Sequence, residues 1–215
     1  MRALLLISLA LAACASPATQ PETRGPAAIL RLDRMKDQVS RAAWPALAAT
    51  ELDACAGAND AVCAESQALR ARGCRMQAAA EPAQRRPLLD CAVEGNRAAL
   101  AASAVTPADE RDMWREALAW SLFERRQIQP RAAICPDNAG LREAADGLGR
   151  TRESARFLAA SARLTEVAEG CGPAANRCST LSESRALLTP APANDPRWSS
   201  LVAASASESR RLACR

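Results

Sequence analysis

Apolar residues recur along most of this chain at the three- and four-residue spacing of an α-helix. Leu32, Met35 and Val39 are the first example, and this spacing places side chains on one helical face. No stretch of the sequence alternates apolar and polar residues with the period of two that marks a half-buried strand. The composition agrees, because alanine-rich sequence with few β-branched residues favours helix over strand. The sequence therefore predicts an all-α protein.

Prolines, glycines and capping residues divide this pattern into separate helices. Short connections between the helices favour helical hairpins, in which consecutive helices run antiparallel. We expect residues 130–140 and 189–194 to be loops. The predicted helices cover 28–53 with a break at Pro45, 61–79, 83–103, 106–128, 141–169 with interruptions at Gly147 and Gly149, 182–188, and a last helix capped by Asp195-Pro196.

The N-terminus has the pattern of an export signal. Met1-Arg2 is a short positive start, and residues 3–13 are all apolar or small. This run is shorter than the ~20 residues that span a bilayer, and its length and flanks are typical of a secretory signal. It ends in Leu11-Ala12-Ala13-Cys14, which resembles the lipobox of bacterial lipoproteins: an aliphatic residue, two small residues and the cysteine that receives lipid.

This resemblance implies cleavage before Cys14 and a lipid anchor on its thiol. More than one acyl chain, palmitate for example, would make the anchoring stable, because a single chain binds a membrane only marginally. Ala15-Ser16, with no Asp, resembles lipoproteins sorted to the outer membrane, where the domain would face the periplasm. We therefore predict a signal peptide over 1–13, a lipid-anchored tether over 14–27 that reaches at most ~43 Å beyond Cys14, and a helical domain over 28–215.

The cysteine count suits an exported protein. The chain has nine cysteines, and lipidation of Cys14 leaves an even eight for an oxidising compartment. None of them lies in a C-x-x-C motif, so no thioredoxin-type pair or zinc ribbon is indicated, and a cysteine-only metal site is the weaker alternative. The predicted disulfide cysteines are Cys55, Cys63, Cys74, Cys91, Cys135, Cys171, Cys178 and Cys214.

Hairpin geometry narrows the pairing. Residues equidistant from the turn of an antiparallel hairpin face each other, and Cys74 and Cys91 are equidistant from a point between Pro82 and Ala83. We therefore expect disulfide-stapled helical hairpins that form a bundle or a short stacked array. Turn-rich segments and elimination predict the other pairs as Cys55–Cys63, Cys171–Cys178 and Cys135–Cys214.

The sequence carries no recognisable catalytic motif. It contains no histidine, which removes Ser-His-Asp and Cys-His pairs and every histidine metal site. It also lacks a phosphate-binding glycine loop, a GxSxG elbow and an acidic metal loop. We expect a non-enzymatic protein without cofactor or metal. The four tryptophans are scattered and are expected in the core: Trp44, Trp114, Trp120 and Trp198.

One charge feature points to a binding function. Residues 70–86 contain five arginines against Glu81 alone, and a hairpin closed by Cys74 and Cys91 would gather them near one turn. Such a patch attracts anions: lipid headgroups, peptidoglycan carboxylates or an acidic protein. The plainer interpretation is a solvated helix end. The five candidate anion-binding residues are Arg70, Arg72, Arg75, Arg85 and Arg86.

These observations predict a non-catalytic envelope lipoprotein: an adaptor, assembly factor or binding module for an unknown envelope protein, with no nucleic-acid partner. Small helical lipoproteins that pilot secretion or pilus subunits are similar in architecture only. The alternatives are an inhibitor of a hydrolase and a cell-wall-glycan-acting enzyme that uses a carboxylate. An adaptor should show an exposed apolar groove between helices, an inhibitor a rigid disulfide-bound loop, and an enzyme a cleft with a perturbed carboxylate.

Overall fold

A computed structural model describes residues 25–149, 151–192 and 195–214, and among them it contains helices and no β-strand. The predicted all-α class is thereby confirmed. The predicted signal peptide, Cys14 and most of the predicted tether lie outside the described residues. The helices are α1 (Pro26–Ser40), α2 (Trp44–Ala48), α3 (Ala61–Ala80), α4 (Arg85–Ala101), α5 (Ala108–Arg126), α6 (Arg131–Asp146), α7 (Glu153–Ala168), α8 (Arg177–Leu187) and α9 (Pro196–Arg211).

Local chemistry sets several helix starts. The Asp60 carboxylate accepts a hydrogen bond from the backbone N–H of Cys63 at 3.0 Å, which caps α3. Asp195 accepts from the backbone N–H of Arg197 at 2.9 Å and Pro196 follows in the first turn, so the predicted cap of α9 is confirmed.

One predicted loop is wrong. Residues 131–140 form the first part of α6, although Pro136 lies inside that helix. The buried side chains of Asp137 and Asn138 accept hydrogen bonds from α5, and this tertiary packing overrides the weak helix propensity of the segment. The helix predicted over 141–169 is divided between α6 and α7. Gly149 lies in the connection with a φ of +73°, a conformation that glycine adopts without strain.

The helices form a short stacked array. From α3 to α9, each helix packs against the one that follows it along the chain. Helices α1, α3, α5, α7 and α9 also contact one another in that order, so they lie along one side of the array. Helices α4, α6 and α8 lie on the other side, while α2 packs on α1 and α3.

Small residues allow some of these helices to approach closely. A Cβ atom on Gly73 of α3 would lie 2.8 Å from the Cβ of Leu47 in α2, and one on Gly95 of α4 would lie 3.0 Å from that of Ala71 in α3. Real Cβ atoms do not approach as closely as 2.8 Å, so the α2–α3 contact requires glycine at 73, and a larger residue at 95 would push α3 and α4 slightly apart. The core around them consists mainly of alanine and leucine.

The described residues contain four disulfides, as predicted from the even cysteine count. Cys55–Cys63 and Cys74–Cys91 form as expected. The other two predicted pairs, Cys171–Cys178 and Cys135–Cys214, are wrong. The structure pairs Cys135 with Cys171, and Cys178 with Cys214.

The reason lies in where each cysteine stands relative to its hairpin. Cys135 lies near the start of α6, and Cys171 lies three residues after the end of α7, so the two meet at the open end of the α6–α7 hairpin. Cys178 and Cys214 stand in the same relation to α8 and α9. The Gly172-Pro173 turn therefore joins two hairpins, each of which is closed by its own bridge.

These two hairpins are structural repeats. Both bridges have a sequence separation of 36. The residue before the second cysteine has a positive φ in each repeat, +72° at Gly170 and +53° at Ala213. The backbone N–H of Cys171 donates to the backbone carbonyl of Glu166 at 2.8 Å, and that of Cys214 donates to the backbone carbonyl of Ser209 at 3.0 Å. In each repeat an arginine at the matching position contacts the side chain of that acceptor residue: Arg142 contacts Glu166, and Arg185 contacts Ser209.

A charged contact fixes the middle of the array. The guanidinium of Arg125, at the C-terminal end of α5, donates to Asp90 of α4 at 2.9 Å and forms a bidentate pair with Asp137 of α6. The side chains of Arg125 and Asp137 are 12% and 7% exposed. A planar guanidinium fork suits this geometry, so one side chain holds three helices in register.

The next residue extends the link to α7. Arg126 is buried and donates to the Asn138 amide oxygen at 2.5 Å and to the Ser161 hydroxyl at 2.8 Å. Burial lowers the pKa of Arg126 to about 10, which still leaves the guanidinium protonated at neutral pH. A third buried arginine, Arg163 of α7, pairs with Asp146 at 2.9 Å and Glu183 at 2.9 Å, which joins α6, α7 and α8.

The disulfide assignment predicts a specific loss of stability. The double substitution Cys178→Ala/Cys214→Ala should lower the free energy of unfolding by about 4 kcal/mol, from the entropy of the loop that the bridge closes. Urea denaturation of the oxidised chain measures this loss. Non-reducing peptide mapping of the unaltered chain should recover Cys135 linked to Cys171, and a peptide that links Cys171 to Cys178 would contradict the assignment.

The contacts of Arg125 predict that replacing this residue lowers the free energy of unfolding by a similar amount. Arg125→Met leaves the Asp137 carboxylate buried without its partner and should lower the free energy of unfolding by about 3–5 kcal/mol. Arg125→Met/Asp137→Leu should recover most of it, because neither charge then remains. The matched control is Arg86→Met at an exposed position, which should change the free energy of unfolding by no more than about 0.5 kcal/mol. Equal effects of the two single substitutions in denaturation experiments would disprove a structural role for Arg125.

Candidate functional site

A groove of about 550 Å³ runs between α3 and α5. Helix α4 follows α3 and precedes α5, and it packs antiparallel to both, so α3 and α5 run parallel. The floor of the groove is made of small side chains, Ala68 and Ala71 from α3 and Ala117 from α5, together with the buried Asn96 of α4. The small floor residues are what make the groove deep.

The walls of the groove are apolar. Leu69 and Met76 come from α3, and Met113 and Trp114 come from α5. Met76 is 42% exposed and Met113 is 56% exposed. Methionine side chains are flexible and adapt to different partners, so an exposed methionine on each wall suits a binding groove.

The two ends of the groove carry opposite charges. Glu65 and Glu110 line it near the N-terminal ends of α3 and α5, and Arg72 and Arg75 line it further along. Ten residues separate Glu65 from Arg75, which corresponds to about 15 Å along a helix. Lys36 of α1 forms an ion pair with Glu65 at 2.9 Å.

The two groove arginines sit against tryptophan rings. The Arg75 guanidinium is 5.8 Å from the ring centroid of Trp120 and pairs with Glu124 at 2.6 Å. The Arg72 guanidinium is 5.4 Å from the ring of Trp44. Both rings are half-buried, whereas the remaining tryptophans belong to the core as predicted. The aromatic faces hold the guanidinium groups in place by cation–π attraction.

The structure divides the predicted arginine patch. Arg72 and Arg75 meet in the groove, whereas Arg70 lies about 200° around α3 from Arg72 and so faces the other way. Arg85 and Arg86 begin α4, after the turn that follows α3. Within the part of the chain that the structure describes, neither of these two forms an ion pair, and Arg86 is exposed. The turn therefore keeps two of the five arginines accessible to an anion.

The groove itself was not predicted. Its wall residues recur at helical spacing on α3 and α5, and the same spacing also describes a helix face in the core. Only the separation of α3 and α5 by an alanine floor leaves Met76 and Met113 uncovered. The sequence feature that could have indicated the groove is the position of Met76 and Met113 beside charged residues on neighbouring helices.

The disulfide-bound loop between Cys55 and Cys63 has different properties. Its tip consists of Ala56, Gly57 and Ala58, and the backbone N–H of Ala104 donates to the carbonyl of Ala58 at 2.8 Å. The loop is thus rigid, as an inhibitor requires, but its tip offers no large side chain to fill a hydrolase cleft.

Other kinds of site receive no support from the described residues. They include no cluster of acidic or cysteine side chains placed to hold a metal ion. None of their helices combines the length and the apolar character that crossing a bilayer requires. No protein-family model matches the sequence, and comparison with curated proteins and with solved structures finds no significant relative.

Proposed function

We propose that this protein is a non-catalytic envelope lipoprotein, an adaptor that holds a helix of a partner protein in the α3–α5 groove. The observation that carries the proposal is the exposed apolar wall formed by Met76 and Met113 above a floor of alanines. Amphipathic helices bind such grooves with apolar residues at positions i, i+3 or i+4 and i+7.

The charges of the groove suit one orientation of such a helix. Glu65 and Arg75 already have partners in Lys36 and Glu124. Glu110 and Arg72, by contrast, form no ion pair with any described residue. A partner helix with a basic residue beside Glu110 and an acidic residue beside Arg72 would satisfy both. Complementary charges of this kind select the orientation of a bound partner more than they add affinity.

The groove favours an adaptor over the two alternatives. An inhibitor would present a loop with side chains that fill a cleft, whereas the Cys55–Cys63 loop has a tip of alanine and glycine. A glycan-acting enzyme would place carboxylates beside an open aromatic platform. In the groove, Glu65 and Glu110 share the lining with Trp114, but that ring is only 9% exposed, and the half-buried rings of Trp44 and Trp120 lie under arginines. The function that we propose needs no cofactor, metal or nucleic acid.

The proposed setting is the periplasmic face of the outer membrane, with Cys14 as the lipidated residue. It follows from the lipobox and from an N-terminal tether that enters the domain at α1. The exposed turn with Arg85 and Arg86 would then contact an anionic group in the envelope, such as a lipid headgroup, a peptidoglycan carboxylate or an acidic surface of the partner.

The anchor can be tested directly. Cys14→Ser removes the thiol that receives lipid, so the protein should remain unprocessed or become soluble. Cell fractionation with immunoblotting measures this, and Cys55→Ser/Cys63→Ser serves as a control that removes cysteines without touching the lipobox. A Cys14→Ser protein that is processed and sediments with the membrane like the parent would refute the proposed anchor.

The groove can be tested by site-specific crosslinking in cells. A photoreactive phenylalanine analogue at Met113 should crosslink one partner protein, and the same analogue at the exposed Val202 of α9 should not. A peptide from the crosslinked helix should then bind the purified domain. Met113→Glu should weaken that binding about tenfold or more, as expected for a central apolar contact, and Val202→Glu should leave it unchanged. Equal crosslinking at both positions, or equal binding by both variants, would contradict the proposal.

A further inference from the structure

Helix α1 begins with apolar side chains that the fold leaves uncovered. Ile29 is 48% exposed and Leu30 is 62% exposed, and Ala27 beside them is exposed as well. The next apolar residues on the helix, Leu32 and Met35, are buried against the domain, at 6% and 1% exposed. The packing face of α1 is therefore already used. Leu30 lies about 200° around the helix from Leu32 and faces away from the core, whereas Ile29 lies at the edge of the packing face.

Two charged side chains follow on this side of the helix, and one of them, the exposed Asp33, lies one turn after Ile29. Arg34 lies one helical turn after Leu30, and its Nε atom donates to the Leu30 carbonyl oxygen at 3.3 Å. Arg34 forms no ion pair with any described residue and is exposed. Apolar residues with an arginine one turn away fit a lipid–water interface, because the arginine stem can lie along the acyl region while the guanidinium reaches the headgroups.

The start of α1 also marks one end of the molecule. Ala28 and Arg31 lie beside Val62 and Cys63, at the beginning of α3. The 40% exposed Val105 belongs to the same end, because its neighbour Ala104 is hydrogen-bonded to the loop that precedes α3. The turn that carries Arg85 and Arg86 lies at the other end of α3, whose twenty residues span about 30 Å.

We propose that the first turn of α1 is a membrane-contact surface, in which Ile29 and Leu30 enter the lipid interface and orient the domain on its membrane. The inference rests on the proposed lipid anchor. Cys14 lies twelve residues before Pro26, so the chain between them spans at most about 40 Å when extended. This exposed apolar turn is the part of the described domain nearest to the anchor along the chain, and the tether keeps it within reach of the membrane. Interfacial residues of this kind enter about 5–10 Å into the boundary between headgroups and acyl chains.

This orientation has consequences for both other surfaces. The Glu65 and Glu110 end of the groove would lie nearer to the membrane, and the turn with Arg85 and Arg86 would point away from it. The two arginines would then meet peptidoglycan or a protein partner, while Arg34 would meet the headgroups. If the turn with Arg85 and Arg86 contacts the headgroups instead, the proposed orientation is wrong. A single experiment can distinguish the two orientations.

The experiment attaches the mature chain to vesicles by chemistry and then measures which end meets lipid. The Cys14 thiol is coupled to a maleimide lipid in vesicles of phosphatidylethanolamine and phosphatidylglycerol that contain brominated acyl chains. Tryptophan is introduced by Leu30→Trp or, as the matched control, by Ala83→Trp in the exposed turn after α3. The unaltered chain gives the signal of the native tryptophans, and circular dichroism confirms that each variant is folded.

The brominated lipids should quench most of the fluorescence that the tryptophan at position 30 adds, and its emission maximum should shift to shorter wavelength. The tryptophan at position 83 should keep its fluorescence. Adding Ile29→Glu to Leu30→Trp should restore much of the lost emission. Equal quenching at both positions, quenching at position 83 alone, or none at either would overturn the proposal. Because the coupling is chemical, the outcome does not depend on lipidation in the cell, which the Cys14→Ser fractionation tests separately.

Discussion

Arg125 and Arg126 stand at the C-terminal end of α5, where α4, α6 and α7 approach one another. Their guanidinium groups are largely or fully buried and contact side chains on all three helices. The surrounding core is mainly alanine and leucine, and a buried alanine contributes only about one methyl group, on the order of 0.8 kcal/mol. Contacts of that kind are too uniform to specify how helices are positioned, so the directional hydrogen bonds of the arginines specify it.

The disulfides act at other places in the array. Cys135–Cys171 and Cys178–Cys214 close the open ends of two successive hairpins, whereas Cys74–Cys91 joins α3 and α4 within their length. The repeated C-terminal hairpins also share their helix-end hydrogen bonds. A repeated unit of this kind contacts mainly its neighbours, so its stability depends on closing each unit and on the interface between units. Here a covalent bond closes each unit, and buried Arg163 of α7 joins α8 to α6.

Helix α5 connects this framework to the proposed function. Its C-terminal end carries the two structural arginines, and its N-terminal half presents Met113 and Trp114 to the groove. The two arginines that fix the C-terminal end of α5 are therefore distinct from the exposed Met113 that would contact a partner. Such a division lets the groove remain preformed, which lowers the ordering cost of binding. The exposed start of α1 is separate from both and lies at the N-terminal end of the described chain, beside the start of α3.

Sequence reasoning succeeded where the deciding contacts are local. Helical periodicity established the all-α class, Asp195-Pro196 marked the start of α9, and the symmetric spacing of Cys74 and Cys91 identified a bridge within one hairpin. Each of these features depends on residues in one helix or in two consecutive ones.

The tertiary structure decided what depends on distant partners. The pairing of Cys135 with Cys171 requires knowing that residues 131–140 are helical, and that in turn depends on Arg125 and Arg126 reaching Asp137 and Asn138. Of the five clustered arginines, packing placed two in a groove, left two at a turn and turned one away. Spacing along the sequence fixes which residues share a helix face, but only packing decides whether that face is buried, paired or open to a partner.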